Sequence, residues 1–393
     1  MSAEVKPGYK QTELGVIPED WDVRPLGQLV HAVEYGSSAK SSSSGKIPVL
    51  RMGNLQEGKI DWSDLVFTDN ESEIAKYLLN PGDVLFNRTN TIDLVGKAAI
   101  YKGTRPSIFA GYLIRIKEKK DQIDSRYLNY FLNSKSAKNY GLKVLSVAVG
   151  QANINGQKLK TYPVALPPTV DEQISIATAV SEMEEFISSL EQMIAKKRDI
   201  QQAAMQQLLT GQRRLPGFSG EWKVMRLGEI CTMKSGDGIT SANIDENSAY
   251  PCYGGNGLRG QTGTYTHDGS YVLIGRQGAL CGNIAFAQGK FFASEHAIVV
   301  TPSDQADVSW LSIILRKMNL NQYSESSAQP GLSVVKLLLL PCLVPPQPEQ
   351  TAIAAILSDM DSELAALEAR RDKARQLKLG IMQELLTGRT RLV

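Results

Sequence analysis

Between residues 172 and 209 the apolar positions step by four and three in alternation. They are Ile176, Val180, Met183, Ile187, Leu190 and Ile194, and the register runs on through Lys197, Gln201, Ala204 and Leu208. A second stretch repeats the pattern with Ile353, Leu357, Met360, Leu364, Leu367, Arg371, Ala374, Lys378, Ile381 and Leu385. A seven-residue period held this long predicts a narrow seam buried against another helix in a left-handed supercoil. An amphipathic helix on a globular core would show a wider stripe over a shorter run. Lys197, Gln201, Arg371 and Lys378 interrupt the seam, which lowers stability but fixes register and direction. Proline turns at Pro167-Pro168 and Pro345-Pro346 precede the helices, and Gly211 and Gly388 close them with the residue type suited to a left-handed cap.

The two stretches are copies. Residues 205–211 read MQQLLTG and residues 382–388 read MQELLTG. The same offset (386 − 209 = 177) pairs Glu172 with Glu349, Gln173 with Gln350, Ala177 with Ala354, Lys196 with Lys373 and Arg198 with Arg375 without a gap. The preceding segments are related more loosely. Glu19-Asp20-Trp21 opens one and Glu221-Trp222 the other, and an Asp-capped helix is predicted after Asp124 and again after Asp307. Gln151, Ile154 and Leu159 match Gln329, Leu332 and Leu337. Between these anchors the segments diverge into short β runs separated by Gly, Asn and Ser turns. The expected fold is α+β: two mixed α/β domains separated by two long antiparallel coiled-coil helices in a pseudo-two-fold repeat. Its expected divisions are residues 1–170, 171–213, 214–346 and 347–393. A common frame with unlike loops suits a protein that reads two unlike targets.

Composition changes this picture little. The 393 residues carry a net charge of only +2, so no general affinity for polyanions follows from the total. Residues 1–170 hold 22 Lys and Arg against 17 Asp and Glu, a surplus of 22 − 17 = 5 that leans toward phosphate. Cys231, Cys252, Cys281 and Cys342 form no C-x-x-C pair, and His31, His267 and His296 stand at no metal-ligand spacing to them. Reduced thiols, no structural metal and a cytoplasmic location are expected. No apolar run is long enough to span a bilayer.

Several motifs point nowhere. Gly255, Gly257 and Gly260 spell G-x-G-x-x-G, but turn and strand residues follow instead of the helix that a dinucleotide fold requires. Gly45-Lys46 lacks the remaining P-loop residues. There is neither an Asn-Pro-Pro-aromatic motif for amino methylation nor a compact carboxylate–lysine nuclease cluster, so no catalysis and no cofactor is expected on this chain.

With domain, helix, domain and helix in that order, the chain resembles the specificity subunits of type I restriction-modification systems. The E-x-W openings, the proline approaches ending in Glu172-Gln173 and Glu349-Gln350, and the LLTG exits carry the resemblance over nearly the whole length. It implies two target recognition domains, each reading one half of a split double-stranded DNA site. It also implies helices that set their separation and dock two methyltransferase subunits, with restriction or translocase subunits as further candidates. S-adenosylmethionine, ATP and magnesium would belong to those partners. Two other classes fit the chain less well: a methyltransferase fused to its own recognition module, against which the missing catalytic motifs count, and a coiled-coil scaffold binding only proteins, against which the paired, diverged domains count. A helix from residue 172 to 209 would measure about 57 Å, a ruler suited to half-sites roughly 35 Å apart if each domain leans inward.

Bases are read in the major groove by Arg, Asn and Gln, and phosphates are held by Lys, Arg and small polar groups. The candidates are Lys40 and Lys46 in a serine-rich loop, Asn87, Arg88 and Asn90 after a strand, and Arg276 and Gln277 at a comparable place in the second domain. Gln151, Asn153 and Gln329 either face DNA or cap the turns beside them.

Overall fold

The computed structural model describes residues 6–148, 150–278, 280–324 and 331–392. Its longest elements are two helices of 39 residues each, Val170–Leu208 and Gln347–Leu385. The chain divides into two compact units, Met1–Leu190 with Arg370–Val393, and Glu191–Ala369. Each unit therefore contains one mixed domain, the opening part of the helix that follows it, and the closing part of the other helix.

In the first unit an antiparallel sheet runs in the order Ala98–Ile100, Val84–Asn87, Leu113–Glu118, Val30–Tyr35. A second sheet places Ile47–Leu50 parallel to Ile108–Phe109 and antiparallel to Val66–Thr68. The domain is closed at its base, where Asp22–Pro25 pairs with Pro163–Leu166. The second unit keeps this frame. Cys231–Ser235, Ala297–Pro302, His267–Gly275 and Ile284–Ala293 repeat the four-strand order, and Lys223–Arg226 pairs with Pro341–Val344 at the base. Ile284–Ala293 is long enough to carry Tyr250–Gly254 parallel to its far end, so one six-stranded sheet stands where the first unit has two. Gly36 and Gly236 mark the same bend. A Cβ at Gly36 would lie 2.3 Å from the Phe109 carbonyl oxygen, and one at Gly236 would lie 2.2 Å from that of Ala293.

The α+β architecture with paired helices is as expected. In the first unit Ile176, Ala177 and Val180 are buried with Leu26, Tyr127, Phe131, Leu385 and Leu386. In the second, Ile353, Ala354 and Leu357 are buried with Leu227, Trp310, Ile314, Leu208 and Leu209. Each helix thus opens beside the other's closing turns, and the two run antiparallel. Along the rest of the seam Ile187, Leu190, Ile194 and Leu364 are buried, and Met183, Met360, Leu367 and Ile381 are half-buried. Full burial of one such aliphatic side chain contributes roughly 1.5–3 kcal/mol. Near the domains the buried stripe is wider than a two-position seam, because Ala177 and Ala354 are buried beside Ile176 and Ile353 in the domain cores.

The polar interruptions are paired across the seam or beside it. Lys197 meets Glu363 at 2.7 Å, Gln201 donates to Asp361 at 2.6 Å, Lys378 meets Glu184 at 2.6 Å, and Arg371 meets Asp372 at 2.8 Å. The glycine closures adopt the left-handed conformation, with φ 70° at Gly211 and 67° at Gly388.

Past each closure an arginine returns to the opposite helix. Arg391 holds both oxygens of Glu172, through Nε at 2.5 Å and Nη2 at 2.9 Å, and reaches Asp20 at 3.0 Å. Arg214 holds both oxygens of Glu349 at 2.6 and 2.7 Å, and the Trp222 indole donates to the same carboxylate at 2.9 Å. Glu172 and Glu349 are buried, a position that a carboxylate keeps only when paired. The adjacent glutamines do different work. Gln173 accepts the Asp124 backbone N–H at 2.9 Å and donates to the Gln122 carbonyl, while Gln350 accepts the Asp307 N–H at 2.8 Å and donates to the Gln305 carbonyl. Asp124 and Asp307 cap the helices Ser125–Leu132 and Val308–Lys317.

Replacing Arg391 with Leu leaves Glu172 buried without its cation. A loss of about 2 kcal/mol is expected in denaturant unfolding, below the range for fully buried pairs because the guanidinium is partly exposed; an unchanged midpoint would contradict the clamp. The thiols give an independent check. Burial pushes Cys231 up to about 12 and Cys342 up to about 11, so a disulfide-exchange reagent at pH 8 should not label either until the protein is unfolded.

Candidate nucleic-acid interface

Arg88 and Arg276 occupy one position in two frames. Arg88 follows the strand Val84–Asn87; its N–H donates to the Tyr112 carbonyl at 3.1 Å and its carbonyl accepts from Ile154 at 2.8 Å. Arg276 follows His267–Gly275; its N–H donates to the His296 carbonyl at 2.8 Å and its carbonyl accepts from Leu332 at 2.9 Å. The side chains are held by residues that also correspond, since Tyr35 pairs with Ile114 and Ser235 with Ile298 on equivalent strands. The Arg88 guanidinium lies 4.8 Å from the centre of the Tyr35 ring, and its Nη1 donates to the Gly111 carbonyl at 3.4 Å. Arg276 Nη1 donates to the Ser235 hydroxyl at 2.9 Å. Both arginines are half-buried. Each guanidinium is held through Nη1, which leaves further donors of a planar five-donor group for a bidentate acceptor.

The surroundings differ. In the first unit Thr89–Asn90 pairs with Gln151–Asn153, which pairs in turn with Ser146–Ala148, making a ribbon beside Arg88. Arg88, Asn90, Gln151 and Asn153 are therefore brought together: Gln151 is exposed, Asn90 is half-buried, and Asn153 donates to the Thr89 hydroxyl at 2.7 Å. Tyr112 stands beside them, 54% exposed. In the second unit the same corner presents Gln277, whose Oε1 lies 3.2 Å from Nδ1 of His296, and Glu295, 3.3 Å from Nε2 of that ring. Tyr112, His296 and Glu295 escaped the sequence reading. Each is a lone polar or aromatic residue in a turn, and only strand pairing brings it to the arginine.

The remaining candidates separate. Asn87 has no surface to offer a groove. It is fully buried, donates to the Leu94 carbonyl at 3.2 Å and accepts from the Thr89 N–H at 3.4 Å, so it shapes the 88–94 loop from within. Lys46 is exposed, but its ammonium meets Glu71 at 3.3 Å and its N–H meets Asp69 at 2.7 Å, which offsets its attraction for phosphate. Lys40 is exposed in the loop that leaves the Gly36 bend. Gln329 lies outside the described residues. Gly255–Gly260 joins two strands, Tyr250–Gly254 and Gly257–Thr262, and opens no helix. His267 stacks on Phe291 at 5.3 Å within an aromatic cluster, and burial pushes its pKa down. Among the described residues no group of three His, Cys, Asp or Glu could hold a metal ion, and no helix is long and apolar enough to cross a membrane.

Two frames of one design, each offering an anchored arginine at the same corner amid unlike neighbours, define a duplicated recognition protein. The chain belongs to the type I restriction-modification family: residues 18–197 and 219–375 both match the type I restriction modification DNA specificity domain. It is 48% identical to the EcoprrI specificity subunit of Escherichia coli over 146 residues, which cover 36% of this chain and 36% of that one. It is 27% identical to the putative MjaX specificity subunit of Methanocaldococcus jannaschii over 98% of this chain and 97% of the relative. The fold is that of the type I restriction-modification S subunit from M. genitalium, with a TM-score of 0.66 at 16% identity over 98% of both chains.

Two substitutions separate inner from outer roles. Asn87→Ala leaves buried loop groups unsatisfied and should cost about 1–2 kcal/mol, whereas Asn90→Ala should stay within about 0.5 kcal/mol. Thermal melting of both variants gives the comparison, and equal effects would return Asn87 to the surface.

Proposed function

We propose that the chain is the non-catalytic sequence-reading subunit of a type I restriction-modification complex, with each domain reading one half of a split duplex site. The observation that carries this is the repeated arginine corner, Arg88 and Arg276, held by the same backbone bonds but by different side chains. An arginine held through one nitrogen, with donors to spare, is suited to the O6 and N7 acceptors of guanine in the major groove. With a net charge of +2, local contacts have to supply much of the affinity that bulk attraction does not. The helices dock methyltransferase subunits and, through them, restriction subunits. S-adenosylmethionine, ATP and magnesium act on those partners.

The test is a domain exchange in the assembled complex. Replacing residues 20–165 with those of a relative should change one half of the methylated site, mapped across a host genome, and leave the other half intact. Arg88→Ala should relax base preference in that same half by about 1–3 kcal/mol, and Arg276→Ala should do so in the other half. If either single substitution altered both halves, the modular reading would be wrong.

A further inference from the structure

The first domain is fastened along its helix by a ladder of polar side chains. Gln173 holds Asp124, Thr178 accepts from Arg126 at 3.3 Å, and Ser181 meets the Tyr130 hydroxyl at 3.0 Å. At Glu184 the ladder ends in a shared carboxylate, with Lys378 at 2.6 Å on one oxygen and Lys59 at 3.4 Å on the other. Glu184 is 10% exposed in its side chain and sits beside the seam, where both lysines pair with it. Lys59 comes from the domain itself, in the hairpin of Leu55–Gln56 and Lys59–Ile60. That hairpin is tight, with φ 51° at Glu57 and 82° at Gly58, and Asn129 of the domain helix donates to the Gly58 carbonyl at 2.9 Å. Lys59 is therefore a rigidly mounted strut.

The corresponding positions of the second unit carry different chemistry. Asp361 corresponds to Glu184 and is met by Gln201, the counterpart of Lys378. Ile313 and Ala355 stand where the first unit has Tyr130 and Thr178, and neither side chain can form a hydrogen bond. Thr351, one residue past Gln350, reaches Asp307 at 3.1 Å, close to the helix start.

We infer that Lys59 and Glu184 are positioning residues that fix the angle of the first domain on its helix, and through it the spacer length between half-sites that the protein accepts. This rests on the DNA-reading function proposed above. A domain tied at four points over 11 residues of helix (184 − 173), about 16 Å, resists rocking. Released at its outer end, it pivots on the inner bonds and tolerates a neighbouring spacing, while its base-contacting corner is untouched.

The full chain assembled with its modification subunits is titrated with duplexes carrying the mapped half-sites, the spacer varied one base pair at a time. The unaltered protein should favour its own spacer by about tenfold or more over its neighbours. Lys59→Met and Glu184→Gln should flatten that preference to about threefold or less, with the penalty for a wrong base in either half-site unchanged, and Lys59→Arg should restore the preference. Lys59 is half exposed, so its loss spares the core, and Glu184→Gln tests the same strut from the other side. A sharp preference retained by both variants overturns the inference and leaves the function standing. An unaltered protein indifferent to half-site sequence overturns the function and the inference together.

Discussion

A carboxylate buried at the start of each long helix is stable only if a cation comes to it, and in both units the cation arrives from far along the chain. Arg391 reaches Glu172 across 219 residues and Arg214 reaches Glu349 across 135. A desolvated carboxylate left alone would be costly, so the helix start and the tail that follows the opposite helix order together. The domain is drawn into the same unit. Asp20 takes the free side of Arg391 in one case, and Trp222 donates to Glu349 in the other. Tyr9 adds a hydroxyl toward the Gly388 carbonyl at 3.4 Å.

The residue after each glutamate shows how two neighbours divide one task. Successive positions on a helix point about 100° apart. Glu172 and Glu349 can therefore face the incoming tail while Gln173 and Gln350 face the domain, where each satisfies the backbone just ahead of an aspartate-capped helix. A Glu-Gln pair recurring at an offset of 177 thus marks a junction where helix, tail and domain are joined by two adjacent side chains.

How much of this could be read in advance depends on the range of the interaction. The seam, the glycine closures and the aspartate caps are set by residues within a turn or two of one another, and period and composition reveal them. The register of Ile47–Leu50 parallel to Ile108–Phe109 depends on pairing across some sixty residues, and no local pattern encodes it. The correspondence of Arg88 with Arg276 was legible because each follows a similar strand. Asn87 was misread because it ends a strand buried on both faces, where alternation no longer separates inside from outside. Glu184 lies off the apolar register, and only the fold brings its two lysines to it.

Placement and recognition are carried by different residues. The Arg–Glu clamp, the glutamine ties, the base strands and the Gly36 and Gly236 bends recur in both halves. Variation begins at the corner they hold in place: an aromatic ring and an exposed tyrosine around Arg88, a hydroxyl, a histidine and a glutamate around Arg276. Phosphate and frame contacts can fix orientation without carrying sequence information, whereas base-edge contacts carry it without fixing orientation. A duplicated chain that keeps the first set and alters the second can carry two different surfaces on one frame, because the change does not disturb the buried pairs on which the frame depends.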